Sequence, residues 1–206
     1  MSLPSLQSLQ QDQTELHRFL VLLLEPSEIL SRKLVPNVHS KLQASALSSY
    51  SQILDACQVE VTTWPMEDRQ NLIGGHPLIG EVQGLSALSS KEQGNLKPTP
   101  EPVLRRLAHL NKVYTAIYPS LPYITFVAGR PRSAIVTEIE ERLGLEHART
   151  PLALENGDIE RPALDSEAVT SKVRPRYSAA WTDELDRAVG DVWRIGQARL
   201  KGLVNP

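Results

Sequence analysis

Residues 102–117 read PVLRRLAHLNKVYTAI. Val103, Leu107, Leu110, Tyr114 and Ile117 recur there at three-to-four spacing, the mark of a helix with one apolar face, and that spacing puts Arg105, Arg106 and Lys112 on its other faces. Pro119 and Pro122 end the helix. On the N-terminal side, Leu6, Leu9, Leu16, Phe19, Leu20 and Leu23 form one stripe of an opening helix. Pro26 starts a short second helix with Ile29 and Leu30, and an N-cap at Ser40 starts a third that turns Leu42, Leu47, Tyr50, Ile53, Leu54 and Cys57 inward. A fourth follows Trp64-Pro65, reaches Leu72 and Ile73, and stops at Gly74-Gly75.

On the C-terminal side, Tyr123-Ile124-Thr125-Phe126-Val127 is the one stretch rich in β-branched and aromatic residues. With no second strand to pair it, it reads as a buried extended connector. A helix from Ser133 to Leu143 closes on Gly144, and a last one starts at an N-cap, Thr182, and carries Leu185, Ala188, Val189, Val192, Gly196 and Leu203. Between these two helices, residues 145–178 are polar and without period. They read as a long loop insertion with a short helix near Ser166 to Ser171, mobile and not needed for folding. The whole is an all-α, single-domain multi-helix bundle over residues 1–206.

Composition agrees. Hydrophobic residues make up 41% of the 206, and thirty Leu stand against Phe 2, Trp 3 and Tyr 5, a balance that favours helices over sheets. A formal net charge of -2 leaves no global basic field for a nucleic-acid backbone. The lone Cys57 forms no internal disulfide and, on an apolar stripe, reads as core rather than nucleophile. The longest apolar run, Phe19 to Leu24, is far shorter than the roughly 20 residues of a membrane span. The N-terminus has no basic leader, and the chain ends Val204-Asn205-Pro206 rather than in a peroxisomal tripeptide, so a cytoplasmic protein is expected.

Common cofactor and nucleophile motifs are absent: no P-loop, no Gly-x-Gly-x-x-Gly, no Gly-x-Ser-x-Gly, no Cys-x-x-Cys. His17, His39, His76, His109 and His147 lie far apart, so a metal site is not expected. What remains is polar residues in unusual places. His76 follows a helix-ending Gly-Gly and precedes Pro77, which constrains its backbone; it is either a surface turn or a presented imidazole suited to proton transfer. Ser89 and Glu92 form the pattern of a capping box, although a first-turn Glu also reaches into clefts. Arg199 falls on the apolar stripe of the last helix and requires an anion, either a structural carboxylate or a ligand.

Gly75-His76-Pro77-Leu78-Ile79-Gly80, Ser89-x-x-Glu92-Gln93, Leu110-Asn111-x-x-Tyr114, Pro122-Tyr123-Ile124 with Gly129-Arg130, and Glu184-x-x-x-Ala188 leading to Arg199-Leu200 together resemble the OHCU decarboxylase family of urate degradation. The likeness runs from about Leu16 to Leu203, each motif being short but their order and spacing specific. It implies a homodimer without metal or organic cofactor that converts 2-oxo-4-hydroxy-4-carboxy-5-ureidoimidazoline (OHCU) to S-allantoin and CO2. It assigns catalysis to His76 and Glu92. Substrate binding falls to Ser89, Gln93, Arg199 and Pro77, with backbone contacts from Ile124, Thr125, Phe126 and Val127.

On this reading Glu92 sets the tautomer of His76 and raises its pKa. Arg199→Lys then damages substrate binding while shifting melting little. Two features depart from the family pattern: Gly94-Asn95-Leu96 stands where Ala-Gly-Leu is usual, and residues 145–178 are much longer than a short link. Two rival readings are a non-catalytic helical interaction module, in which Arg199 and Glu92 are structural, and another cofactor-free enzyme on the same scaffold.

Overall fold

The computed structural model describes residues 3–44, 46–81, 99–146 and 159–204, and every regular element among them is helical. The chain divides into two compact units, Met1–His76 with Leu185–Pro206, and Pro77–Glu184.

The first unit holds α1 (Leu6–Gln11), α2 (Gln13–Leu24), α3 (Val35–Gln43), α4 (Tyr50–Thr62), α5 (Met66–Ile73) and the larger part of α9 (Ala179–Val204). The expected opening helix is two helices, because the Asp12 carboxylate accepts from the N–H of Thr14 at 2.7 Å and caps a new start. Its apolar stripe survives the break: Leu9, Leu16, Phe19, Leu20 and Leu23 are all fully buried. Ser40 is no N-cap. A π-helical turn, Leu30–Leu34, runs directly into α3, and Ser40 lies inside that helix with its hydroxyl donating to the Pro36 carbonyl at 3.0 Å. The start near residue 50 is made by Gln52, whose Oε1 accepts from the N–H groups of Ser48 (2.8 Å) and Ser49 (3.3 Å). Cys57 is buried as predicted, and its thiol is pushed up by burial, then by the charge of Glu60.

The second unit holds α6 (Glu101–Ile117), α7 (Arg132–Leu143) and α8 (Glu167–Thr170) with the first turns of α9. The central helix lies where the sequence puts it, but Arg106 is not on an outer face. It is 3% exposed and donates through Nε and Nη2 to Glu140 at 2.9 and 2.7 Å, and through Nη1 to the Ile159 carbonyl at 3.1 Å and to that of Arg161.

These bonds bear on the expected mobile loop. Its first part, residues 147–158, lies outside the described residues. From Ile159 to Ser178 the chain is anchored: His109 meets the Pro162 carbonyl at 2.9 Å, Lys172 donates to the Leu143 carbonyl at 3.0 Å, and the Arg174 N–H donates to the Ile117 carbonyl at 2.7 Å. Val169, on the short helix that the sequence predicts, is fully buried, worth about 1.5–3 kcal/mol. The period is missing because side chain to carbonyl bonds, which leave no hydrophobic pattern, do most of the holding. The last helix also begins earlier than Thr182: the Ser178 hydroxyl accepts from the N–H of Trp181 at 3.4 Å, and the buried Trp181 indole donates to the Pro119 carbonyl at 3.0 Å.

Candidate active site

His76 ends the first unit. Helix α5 stops at Gly74, and the His76 N–H donates to the Ile73 carbonyl at 3.1 Å, so the imidazole leaves a tight turn rather than a helix. That turn is pressed against the chain after α2. A Cβ on Gly75 would lie 2.8 Å from Ser27 Cβ and 3.0 Å from the Pro26 carbonyl oxygen, which only glycine avoids. The His76 side chain is 7% exposed, and neither ring nitrogen has a hydrogen-bond partner among the described residues. Leaving such atoms unpaired costs about 1–3 kcal/mol each, so a buried bare imidazole calls for a reason beyond folding.

Burial, then the nearby Arg199 charge, lower the pKa of His76 to about 4; the Glu25 carboxylate and the Leu72 carbonyl, which makes no well-formed hydrogen bond, oppose them. The ring is therefore neutral at pH 7. Among the described residues the expected rise is instead a fall, because desolvation of a cation outweighs the Glu25 carboxylate.

Arg199 reaches this ring from α9. It is 5% exposed, with Nη1 2.8 Å from a Glu25 carboxylate oxygen and 3.3 Å from the Leu23 carbonyl. Glu25 caps the C-terminus of α2 at φ 64, ψ 156, a conformation that costs a non-glycine residue about 1–3 kcal/mol. A buried ion pair is what holds it there. Sequence reasoning missed Glu25, although a carboxylate directly after the apolar run Phe19 to Leu24 is as anomalous as a guanidinium on an apolar stripe, and each supplies what the other lacks.

The second unit carries the continuation. Pro77 is half-buried, and the turn after it is tied down by Asn111, whose Nδ2 donates to the Ile79 carbonyl at 3.0 Å. Gly80 has φ 92, which favours glycine, and lies close against Leu107, whose Cβ would be 3.0 Å from an added Cβ. A cavity of about 610 Å³ opens between Leu78–Glu81 and the face of α6 that carries Asn111. Tyr114 donates to Glu184 at 2.6 Å, and Arg142 pairs with the same carboxylate at 3.0 Å. The Asn111, Tyr114 and Glu184 motifs are thus architectural.

The connector forms no strand. Tyr123 and Ile124 are buried, while Thr125, Phe126 and Val127 are half-buried. Ser89, Glu92 and Gln93 lie outside the described residues, as does Gly94-Asn95-Leu96. Of the assigned site residues, His76 and Arg199 come together in the first unit, with Glu25 added; Pro77, Ile124, Thr125, Phe126 and Val127 belong to the second.

The family model for OHCU decarboxylase matches residues 10–150. No curated protein matches the chain.

Proposed function

Because the chain belongs to the OHCU decarboxylase family, decarboxylases of urate degradation, we propose that it converts OHCU to S-allantoin and CO2. The observation that supports this reading is the buried, neutral His76, whose ring nitrogens have no hydrogen-bond partner among the described residues, beside the buried Arg199 and Glu25. An uncharged imidazole has a lone pair with which to accept a proton, and a buried histidine in a perturbed environment is a functional-site candidate.

In the proposed reaction His76 accepts the proton of the 4-hydroxyl. The bond to the carboxylate carbon breaks, CO2 leaves, and the electron pair passes onto the imine nitrogen of the ring, which takes up one proton from solvent. The proton held on His76 then returns to one face of the product carbon, which fixes its handedness. Arg199 offsets charge on the substrate, and charge stabilisation in a dry site is the largest contribution such a protein makes without a metal or organic cofactor. Glu92 is proposed to set the tautomer of His76, and Ser89 and Gln93 to orient the substrate ring. Substrate contacts are likewise proposed for Pro77 and for the backbone of Ile124 to Val127. The working form is proposed to be a cytoplasmic homodimer.

The test is incubation of the purified protein with freshly generated OHCU, following loss of substrate absorbance and release of CO2. Acceleration well above the spontaneous rate supports the reading. A rate equal to the blank under conditions where the protein is folded refutes it and returns the helical interaction module.

A further inference from the structure

Glu138, on α7, faces three residues of one short segment. Its Oε1 accepts from the Tyr123 hydroxyl and from Thr125 Oγ1 at 2.7 Å, and its Oε2 pairs with Arg130 Nη1. Arg130 turns back along the same segment. Its Nη2 donates to the Phe126 carbonyl at 2.7 Å and to Thr125 Oγ1 at 3.3 Å, and its Nε donates to the Val127 carbonyl at 3.0 Å. The reversal is made by Ala128 and Gly129, both at positive φ (51 and 75).

The connector has no neighbouring strand among the described residues, so nothing in a sheet fixes its shape. A carboxylate and a guanidinium take that place. They also determine what it offers: the carbonyls of Phe126 and Val127 are occupied by Arg130, while among the described residues the backbone N–H groups of Thr125 and Val127 make no hydrogen bond. Half-buried unpaired donors are what an anionic or carbonyl-bearing ligand uses.

We propose that Glu138 and Arg130 are positioning residues: they clamp the connector so that it presents N–H donors, and not carbonyl oxygens, to the substrate. The proposal rests on the decarboxylase reading, in which this connector contacts OHCU. The clamp is charge-assisted, and burial, although it opposes ionisation, is outweighed by the bonds from Tyr123, Thr125 and Arg130, which hold the Glu138 pKa below the usual carboxylate range.

The test compares wild type, Glu138→Ala and Glu138→Gln by steady-state kinetics on OHCU, amide hydrogen exchange and melting. In Glu138→Ala, KM rises by about tenfold or more, the loss of a charged hydrogen-bond partner, while kcat changes less. Exchange of residues 123–130 quickens while that of α6 does not, and Glu138→Gln, which keeps the acceptor for Thr125, recovers part of the KM. Where Glu138→Ala does not fold, Glu138→Gln and Arg130→Lys carry the same comparison. Unchanged KM in an active enzyme overturns the proposal, even when exchange quickens, since that makes the clamp merely structural. An inert wild type refutes the decarboxylase reading instead, and unchanged exchange in that case refutes the clamp as well.

Discussion

His76 has one property that a turn histidine lacks: its charge is suppressed by its surroundings. Because its folded pKa is lowered to about 4, the unfolded chain binds the extra proton between about pH 6.5 and 4, so stability falls as pH drops through that window and is unaffected above it. In His76→Asn that part of the pH dependence should vanish, measured as denaturation midpoints at pH 7 and pH 4.5; an identical slope in both proteins would contradict the burial account. Arg199 carries a second residue-scale prediction. With Glu25 as its partner, a change there is not thermally silent, contrary to the sequence expectation. Arg199→Met should cost about 3–5 kcal/mol by removing the guanidinium that offsets a buried carboxylate, and Arg199→Met with Glu25→Leu should cost much less, read from urea midpoints. A double-variant loss equal to the sum of the losses in Arg199→Met and Glu25→Leu alone would show the pair to be uncoupled. His76 was legible because glycine and proline constrain backbone visibly; Glu25 was not, since a pairing across more than a hundred and seventy residues has no local trace.

Helices α5, α6 and α7 were readable from apolar spacing to within a residue or two, and Gly144, at φ 59, is the C-cap that its position suggests. The starts of α2, α4 and α9 were not, because Asp12, Gln52 and Ser178 make short-range backbone bonds that many polar residues could supply. The segment from Ile159 to Ser178 was misread for a related reason: its anchors are Arg106, His109 and Lys172, residues that a periodicity argument counts as surface. Replacing residues 159–173 with a Gly/Ser linker should therefore lower the melting temperature substantially, since it uncovers the buried Arg106 and Glu140 pair and removes Val169. Wild-type melting of that chain, by circular dichroism, would restore the picture of a dispensable loop.

At the scale of the whole molecule, the family and the all-α class were legible because ordered short motifs and a Leu-rich composition each constrain the answer independently. The motifs proved to be of two kinds. Asn111, Tyr114 and Glu184 hold the second unit together, whereas neutral His76 and the buried pair of Arg199 with the strained Glu25 cluster in the first. Assembly gives a further prediction: the 22.9 kDa chain should sediment as a species of twice that mass, and a concentration-independent monomer would remove the dimer from the account.

The most direct test of the central claim is the optical activity formed from fresh OHCU by wild type and by His76→Asn at pH 7.5. The account predicts S-allantoin accumulating rapidly with wild type, and a rate lower by about 10²–10⁴-fold with the folded variant, the usual worth of a positioned acid–base group. Racemic product at the spontaneous rate with wild type, or an undiminished rate with His76→Asn, would contradict it.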